Sequence, residues 1–195
     1  MKYKIIILFI FLPFLSQAQE RSVGLRLGEP FAITYKDFIS DEFSFEVMLG
    51  SGSVNGNSYY QRDFDNNPPN SSSFYISHGA KKGISLNGRM AYHEDITDIF
   101  SIEQGYLLGY GGAGVQFRTT QVTYNYSSGN PQNSSPIQQE VRTNVDFGPE
   151  AFVGAEYYFS DLPLNIFVEA GLFLELLDRV GHIKGQGGIG IRYIF

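Results

Sequence analysis

The sequence predicts an all-β fold, an eight-stranded antiparallel up-and-down β-barrel that crosses a membrane. Apolar residues recur at every second position along most of the chain, as strands require. The chain is rich in aromatic residues (15%) and poor in charged ones (17%), and its 195 residues suffice for one domain. It ends in a strand whose outer row is apolar: Ile189, Ile191, Tyr193 and Phe195.

The N-terminal segment is expected to be a secretory signal peptide covering residues 1–18. Two lysines precede an apolar run at 5–15, which is too short to cross a bilayer of about 30 Å as a helix. Cleavage is expected after Ala18, and residues 19–195 are expected to form the barrel domain. No later apolar stretch is long enough for a membrane helix, so a membrane-crossing chain has to be a closed barrel.

Charge and cysteine content limit the possible partners. Without the two leader lysines, 12 basic residues against 20 acidic ones leave a net charge of −8, so no nucleic-acid partner is expected. Cysteine is absent, which excludes disulfides, thiolate metal sites and a lipid anchor on an N-terminal cysteine. Stability must therefore come from backbone pairing and burial.

Turn signals divide the chain into seven or eight strands and predict no helix. The count is eight if Gly28-Glu29-Pro30 is a turn and seven if it is a kink, and single-chain barrels have even counts. Polar, Pro-containing stretches at about 53–82 and 121–140 are expected to be long loops, and a strand is expected from about 100 to 119. Short connections near 40, 94–98 and 161 place the long loops together at the other end of the barrel.

The hairpin around Asp161-Leu162 has a self-consistent register. A two-residue connection there pairs Tyr157 with Ile166, so that the apolar rows of both strands fall on one side. The opposite side carries acidic residues among many small ones. In a membrane barrel the apolar rows face lipid and the small and charged residues fill the lumen, whereas a soluble lipocalin-like barrel reverses this arrangement.

Buried carboxylates need cations, because an unpaired ion costs several kcal/mol when removed from water. The expected lumen ion pairs involve Glu150, Glu156, Glu169, Glu175, Arg89 and Arg192, with Arg26 and Lys36 as further cations. Arg192 is expected to lie close to Glu169 on the neighbouring strand. This arrangement predicts a plugged lumen with no open aqueous pore.

The C-terminal strand resembles the assembly signal of the small outer-membrane β-barrel proteins of Gram-negative bacteria, the OmpA and OmpX type. Gly190, Tyr193 and Phe195 match that signal, although Gly188 stands where a polar residue is usual. The resemblance covers residues 19–195 as an architecture. It implies a cell outer-membrane location, outer-membrane lipid and the barrel assembly machinery as partners, and loops that can bind a surface ligand.

No catalytic, cofactor or metal site is expected. Gly109–Gly114 and Gly185–Gly190 both satisfy G-x-G-x-x-G, but neither opens a helix as a dinucleotide site requires. His78, His93 and His182 show no ligand spacing. Two alternatives to a non-enzymatic barrel stay open. A lipid-modifying enzyme at the rim would need a His within hydrogen-bond reach of a Ser or an acid, as Ser77-His78 suggests, and a soluble carrier would need an apolar lumen.

Overall fold

The computed structural model describes residues 20–128 and 136–195, so the expected signal peptide lies outside the described residues. Eight strands and one α-helix follow one another along the chain, together with a short 3-10 helix at Asp98–Phe100. Their bounds are β1 Arg21–Glu29, β2 Phe31–Phe38, β3 Phe43–Ser51, α1 Asn57–Asn66, β4 Ser73–Asp95, β5 Tyr106–Ser128, β6 Ile137–Tyr158, β7 Leu164–Leu174 and β8 Ile183–Ile194.

The eight strands form one closed barrel in chain order, with β8 pairing back onto β1. All neighbours are antiparallel, which confirms the up-and-down topology. The predicted pairing of Tyr157 with Ile166 is also confirmed. Gly28, the residue before the last one of β1, has a backbone φ of +147°, and a Cβ there would collide with the carbonyl oxygen of Gly187. Only glycine allows the first and last strands to approach so closely.

The connections between strands distinguish the two ends of the barrel. Residues 39–42, 96–105 and 159–163 link strands at one end, here called the turn end, where the described chain also begins and finishes. Pro30 and residues 52–72 and 175–182 link strands at the other end, here called the loop end, where β5 also ends and β6 begins. The connection predicted at 94–98 is wrong in extent, because β4 continues to Asp95 and β5 begins only at Tyr106.

The predicted loop at 53–82 is wrong at both of its ends. Residues 57–66 form α1, and β4 begins at Ser73. Residues 53–56 and 67–72 lack regular structure, and Pro68 and Pro69 in the second stretch have no backbone N–H to donate. Likewise β5 runs to Ser128 and β6 begins at Ile137, inside the stretch predicted as a polar loop. The central strands β4, β5 and β6 have 23, 23 and 22 residues, about twice the length of β7.

The two faces of the barrel differ sharply in chemistry. Outward side chains are apolar and accessible, as shown by Leu25, Leu172 and Ile189, which are 50–59% exposed. Inward positions bury charged and polar groups. An 11-residue strand such as β7 is about 36 Å long and, at a tilt of about 40°, spans about 27 Å along the axis, close to the apolar height of a membrane barrel. The extra residues of β4, β5 and β6 project beyond this band at the loop end.

Candidate functional site

The lumen near the turn end is filled by an ion-paired group around Glu156. Arg192 Nη1 lies 3.0 Å from Glu156 Oε2, and its Nη2 lies 2.6 Å from Glu46 Oε1. Lys36 Nζ binds the other Glu156 oxygen, to which the Tyr158 hydroxyl also donates a hydrogen bond at 2.9 Å. All these groups are buried, so each carboxylate depends on its neighbours rather than on water.

A second group lies one layer further into the barrel and centres on Arg89. Its Nε lies 2.8 Å from Glu150 Oε1, and its Nη1 lies 2.7 Å from Glu169 Oε1. Arg26 Nε donates to the same Glu169 oxygen at 2.8 Å, and Asn87 donates to Glu150 at 3.0 Å. Together the two groups form the lumen ion-pair cluster, which consists of Arg26, Lys36, Glu46, Arg89, Glu150, Glu156, Glu169 and Arg192.

The pairing differs from the sequence expectation at two residues. Arg192 contacts Glu156 and Glu46 instead of Glu169, because Arg192 lies opposite Asn165 while Glu169 lies opposite Gly188. Glu175 has no ion pair with any cation of residues 20–128 and 136–195. Its Oε1 accepts hydrogen bonds from the Tyr59 hydroxyl at 2.6 Å and from the Arg179 backbone N–H at 2.7 Å. Glu175 follows the last residue of β7, above the cluster.

A third charged layer sits toward the loop end, around Arg118. Its Nε lies 2.7 Å from Asp146 Oδ2, and its Nη1 lies 3.2 Å from Glu29 Oε1. Lys184 Nζ reaches the same Glu29 oxygen at 2.9 Å. This layer and Glu46 were not expected from the sequence. Arg118, Asp146, Lys184 and Glu46 have the inward parity of their strands, which was the available signal. Glu29 has the outward parity of Leu25 and Leu27, so alternation alone could not identify it.

The helix α1 covers the loop end of the lumen. Tyr59, Tyr60 and Phe64 are buried against the upper part of β5, where they contact the rest of an aromatic cluster. The other members of that cluster are Val122, Tyr124 and Tyr126. The Tyr59 hydroxyl ties the helix to Glu175, and the Tyr124 hydroxyl donates to Asp63 Oδ2 of the helix at 2.8 Å. The helix therefore acts as a lid fixed by packing and by two hydrogen bonds.

The free energy of unfolding is expected to depend on pH through Glu175. Burial raises the pKa of Glu175 from 4.5 to about 6, although the Tyr59 hydrogen bond opposes the rise. A raised carboxyl pKa means that the folded state binds the proton more tightly, so the stabilisation is complete below pH 4.5 and is lost as pH rises through about 6. Its size is at most about 2 kcal/mol.

Urea unfolding at pH 4.5 and at pH 7 checks this expectation. The free energy of unfolding should fall between the two values by up to about 2 kcal/mol more in the wild type than in Glu175→Gln. The Gln side chain keeps the hydrogen bond from Tyr59 but cannot titrate, and the other titrating groups cancel in the comparison. If the free energy of unfolding changed equally with pH in the two proteins, Glu175 would not be the group that causes the pH dependence.

The turn end opens into a vestibule of about 670 Å³. Its walls carry five carboxylates and several rings, with His93 at the bottom. The lining residues are Glu20, Phe38, Ser40, Asp41, Glu42, Tyr92, His93, Glu94, Asp95, Tyr106 and Leu108. The vestibule shares His93 with a small internal cavity that borders the lumen ion-pair cluster.

His93 forms a buried arrangement with a serine and a glutamate. Its Nε2 lies 2.8 Å from Ser44 Oγ, and its Nδ1 lies 3.4 Å from Glu156 Oε1. Ser44 and His93 border an internal cavity of only about 10 Å³, which holds about one water molecule. His78, which the sequence suggested as the histidine of a rim enzyme, instead contacts the Tyr75 hydroxyl through Nδ1 at 2.6 Å.

The residues of the expected assembly signal lie on β8 or just after it. Tyr193 and Phe195 are exposed on the outer surface, whereas Gly190 lies against the Phe167 ring, which a Cβ would hit. The two glycine-rich segments, Gly109–Gly114 and Gly185–Gly190, lie within β5 and β8 and not at a helix start. Across the described ranges, no helix is long and apolar enough to span a membrane, and no three His, Asp or Glu residues are placed to hold a metal ion.

The fold has similar counterparts among solved structures. The N-terminal β-barrel domain of OprF from Pseudomonas aeruginosa matches with a TM-score of 0.50 and 12% identity, over 91% of this chain and 96% of that one. A major outer membrane protein from Thermus thermophilus gives 0.48 and 10%, over 92% and 100%. Ail, the attachment invasion locus protein of Yersinia pestis, solved with the heparin analogue sucrose octasulfate, gives 0.35 and 10%, over 92% and 100%.

At the sequence level no protein-family model and no curated protein matches this chain. The likeness to the OprF barrel is therefore one of architecture, and it agrees with the closed ring of eight antiparallel strands. The protein has the fold of the small eight-stranded outer-membrane β-barrels, as the resemblance of its sequence predicted.

Proposed function

We propose that the protein is a non-enzymatic integral outer-membrane protein, in which a closed barrel anchors a surface-exposed sheet and lid. The observation that carries this proposal is the opposition of the two barrel faces. The outer rows are apolar over a height that matches a membrane, while the interior holds paired charges. A barrel with this distribution is stable in lipid. In water its apolar rows would be exposed.

Orientation follows from the connections. Outer-membrane barrels have short turns on the periplasmic side and longer loops outside, so the turn end faces the periplasm and the loop end faces the exterior. Export by the predicted signal peptide, insertion through recognition of Gly190, Tyr193 and Phe195 by the barrel assembly machinery, and contact with outer-membrane lipid complete this proposal. Heat-dependent migration of the detergent-refolded protein in electrophoresis tests the membrane barrel directly, and its absence together with solubility in plain buffer would contradict it.

The lumen is plugged in this proposal. The lumen ion-pair cluster spans the interior between the vestibule and the loop end, and α1 covers the far opening. An eight-stranded barrel has an interior just wide enough for its own side chains. We therefore expect no steady stepwise conductance when the purified protein is inserted into a planar lipid bilayer. Reproducible ion-conducting steps at neutral pH would contradict the plugged lumen while leaving the membrane barrel intact.

The chemistry of the lumen argues against the alternative of a soluble carrier for a hydrophobic ligand. A hydrophobic ligand needs an apolar interior, and the inward positions here bury five cationic and six anionic side chains among the described residues. Displacing such paired ions to admit an apolar ligand would cost several kcal/mol per ion. The apolar rows of this barrel face outward instead.

The enzyme alternative has one observation in its favour, the contact of His93 with Ser44 and its approach to Glu156. A nucleophilic serine, however, must meet a substrate carbonyl, and Ser44 is only 1% exposed beside a cavity of about 10 Å³. Glu156 is already ion-paired with both Lys36 and Arg192. The serine is thus placed for a structural hydrogen bond, and the non-enzymatic function is the better supported.

A further inference from the structure

Within the described residues the loop-end sheet has two open edges, one along β4, which pairs with β3 only from Ser85 onward, and one along β6. This sheet consists of residues 73–82 of β4, 120–128 of β5 and 137–144 of β6. β6 pairs with β5 from Ile137 onward, but its pairing with β7 begins only at Glu150. Within the described ranges, residues 137–143 therefore have a paired strand on one side only. The N–H and C=O groups of the open side can pair with a further strand.

The side chains along this edge are arranged to match a second copy of themselves. Glu140 and Arg142 share one face of the strand, where Arg142 Nη2 lies 2.9 Å from Glu140 Oε2. Val141 lies between them and is 59% exposed on the other face. If two copies pair antiparallel with Val141 opposite Val141, Glu140 of each copy lies opposite Arg142 of the other. Opposite charges facing each other across strands are stabilising, and the match occurs twice.

Geometry restricts where such a pair can form. Strands in a membrane barrel tilt by about 35–45° from the axis, so β6 runs mainly along the membrane normal. Two copies in one membrane have the same orientation, and their β6 strands cannot run antiparallel. In a parallel in-register pair, Glu140 would face Glu140 of the other copy. Two copies in facing membranes have opposite orientations, and only they allow the matched pairing.

We propose that the open edge of β6 joins two copies of this protein in facing membranes, through antiparallel pairing centred on Val141. The inference rests on the proposed function, which places the loop end outside the cell. The partner is thus a second copy of this chain on another cell, and the result is adhesion between cells. A single pair of short strands is weak, but many copies on each surface multiply the contact.

Clustering of phosphatidylcholine vesicles that carry the refolded full chain tests the proposal, with particle size followed by dynamic light scattering. Wild-type vesicles should grow several-fold in mean size. Vesicles with Glu140→Lys and vesicles with Arg142→Glu should each stay at single-vesicle size, because like charges then face each other twice. A mixture of the two variant vesicles should cluster again, since every facing pair in the mixed contact is opposite in charge.

Arg62→Glu is the matched control, because it makes the same charge change as Arg142→Glu at an exposed position of α1, outside the loop-end sheet and its open edges. Its vesicles should cluster like the wild type. Arg142 also lies over the Phe64 and Tyr124 rings, so Arg142→Glu alone could act by loosening α1. Rescue in the mixture excludes that explanation, because a loosened lid is not repaired by a charge on another vesicle.

Three results would overturn the proposal: wild-type vesicles that do not cluster, single variants that cluster like the wild type, or a mixture that stays dispersed. Heat-dependent migration and absence of conductance, measured on the same vesicles, report separately on the proposed function. If they hold while clustering fails, the barrel is a surface protein with another partner. If they fail as well, the orientation on which the inference depends is lost.

Discussion

Replacing Arg192 with Leu is expected to lower the free energy of unfolding by about 3–5 kcal/mol, the usual cost of removing one member of a buried ion-paired group. The guanidinium contacts Glu156 at 3.0 Å, Glu46 at 2.6 Å and the Thr34 hydroxyl at 3.2 Å, and it stacks over the Phe167 ring. Without it, two buried carboxylates lose a cation at a site closed off from bulk water.

Urea unfolding of the refolded protein in detergent, followed by far-UV circular dichroism, measures this effect. Arg62→Leu is the matched control, because it removes an exposed arginine from α1 and should leave the midpoint nearly unchanged. Adding Glu46→Gln to Arg192→Leu should recover part of the loss, since it removes one of the uncompensated charges. An unchanged midpoint in Arg192→Leu would show that the lumen ion-pair cluster does not hold the barrel together.

The facing of side chains was accessible from sequence because a strand has a period of two, whereas the choice of eight strands over seven depended on Gly28-Glu29-Pro30 being a turn. Every inward glutamate from Glu150 to Glu169 could be assigned from parity alone, and the same rule reached Arg26 and Arg89. The partners of these charges were not accessible. Long side chains cross the lumen, so Lys36 of β2 meets Glu156 of β6, and the result depends on the stagger of the whole barrel.

The extent of β4, β5 and β6 beyond the membrane band was missed for a different reason. Outside the band neither face of the sheet contacts lipid, so the strict alternation that marks the lower strands fades into polar sequence. The helix α1 was missed because it is short and mostly polar. Its signal was the spacing of Tyr59, Tyr60 and Phe64, which a helix gathers on one face, followed by the Pro68-Pro69 stop.

Replacing Phe64 with Ala is expected to release α1 from the loop end. Phe64 is 1% exposed and packs against Tyr124, Tyr126 and Tyr75, with ring centroids 5.3–5.8 Å apart. Truncation of a buried phenylalanine costs about 3–5 kcal/mol. The helix packs on the barrel without belonging to the strand ladder, so this cost falls on lid attachment while the barrel stays folded.

Limited trypsin digestion of the protein in vesicles measures the release, because Arg62 lies on the exposed side of α1 and becomes a cleavable site only when the helix unwinds. A loss of about 3 kcal/mol raises the population of the open lid, and with it the cleavage rate after Arg62, about a hundredfold. Phe74→Ala is the control, because Phe74 is 47% exposed and lies outside the aromatic cluster, so its cleavage rate should match the wild type. If Phe64→Ala were cleaved no faster than Phe74→Ala, the hydrogen bonds from Tyr59 and Tyr124 would hold the lid by themselves, and packing would not be what closes the loop end.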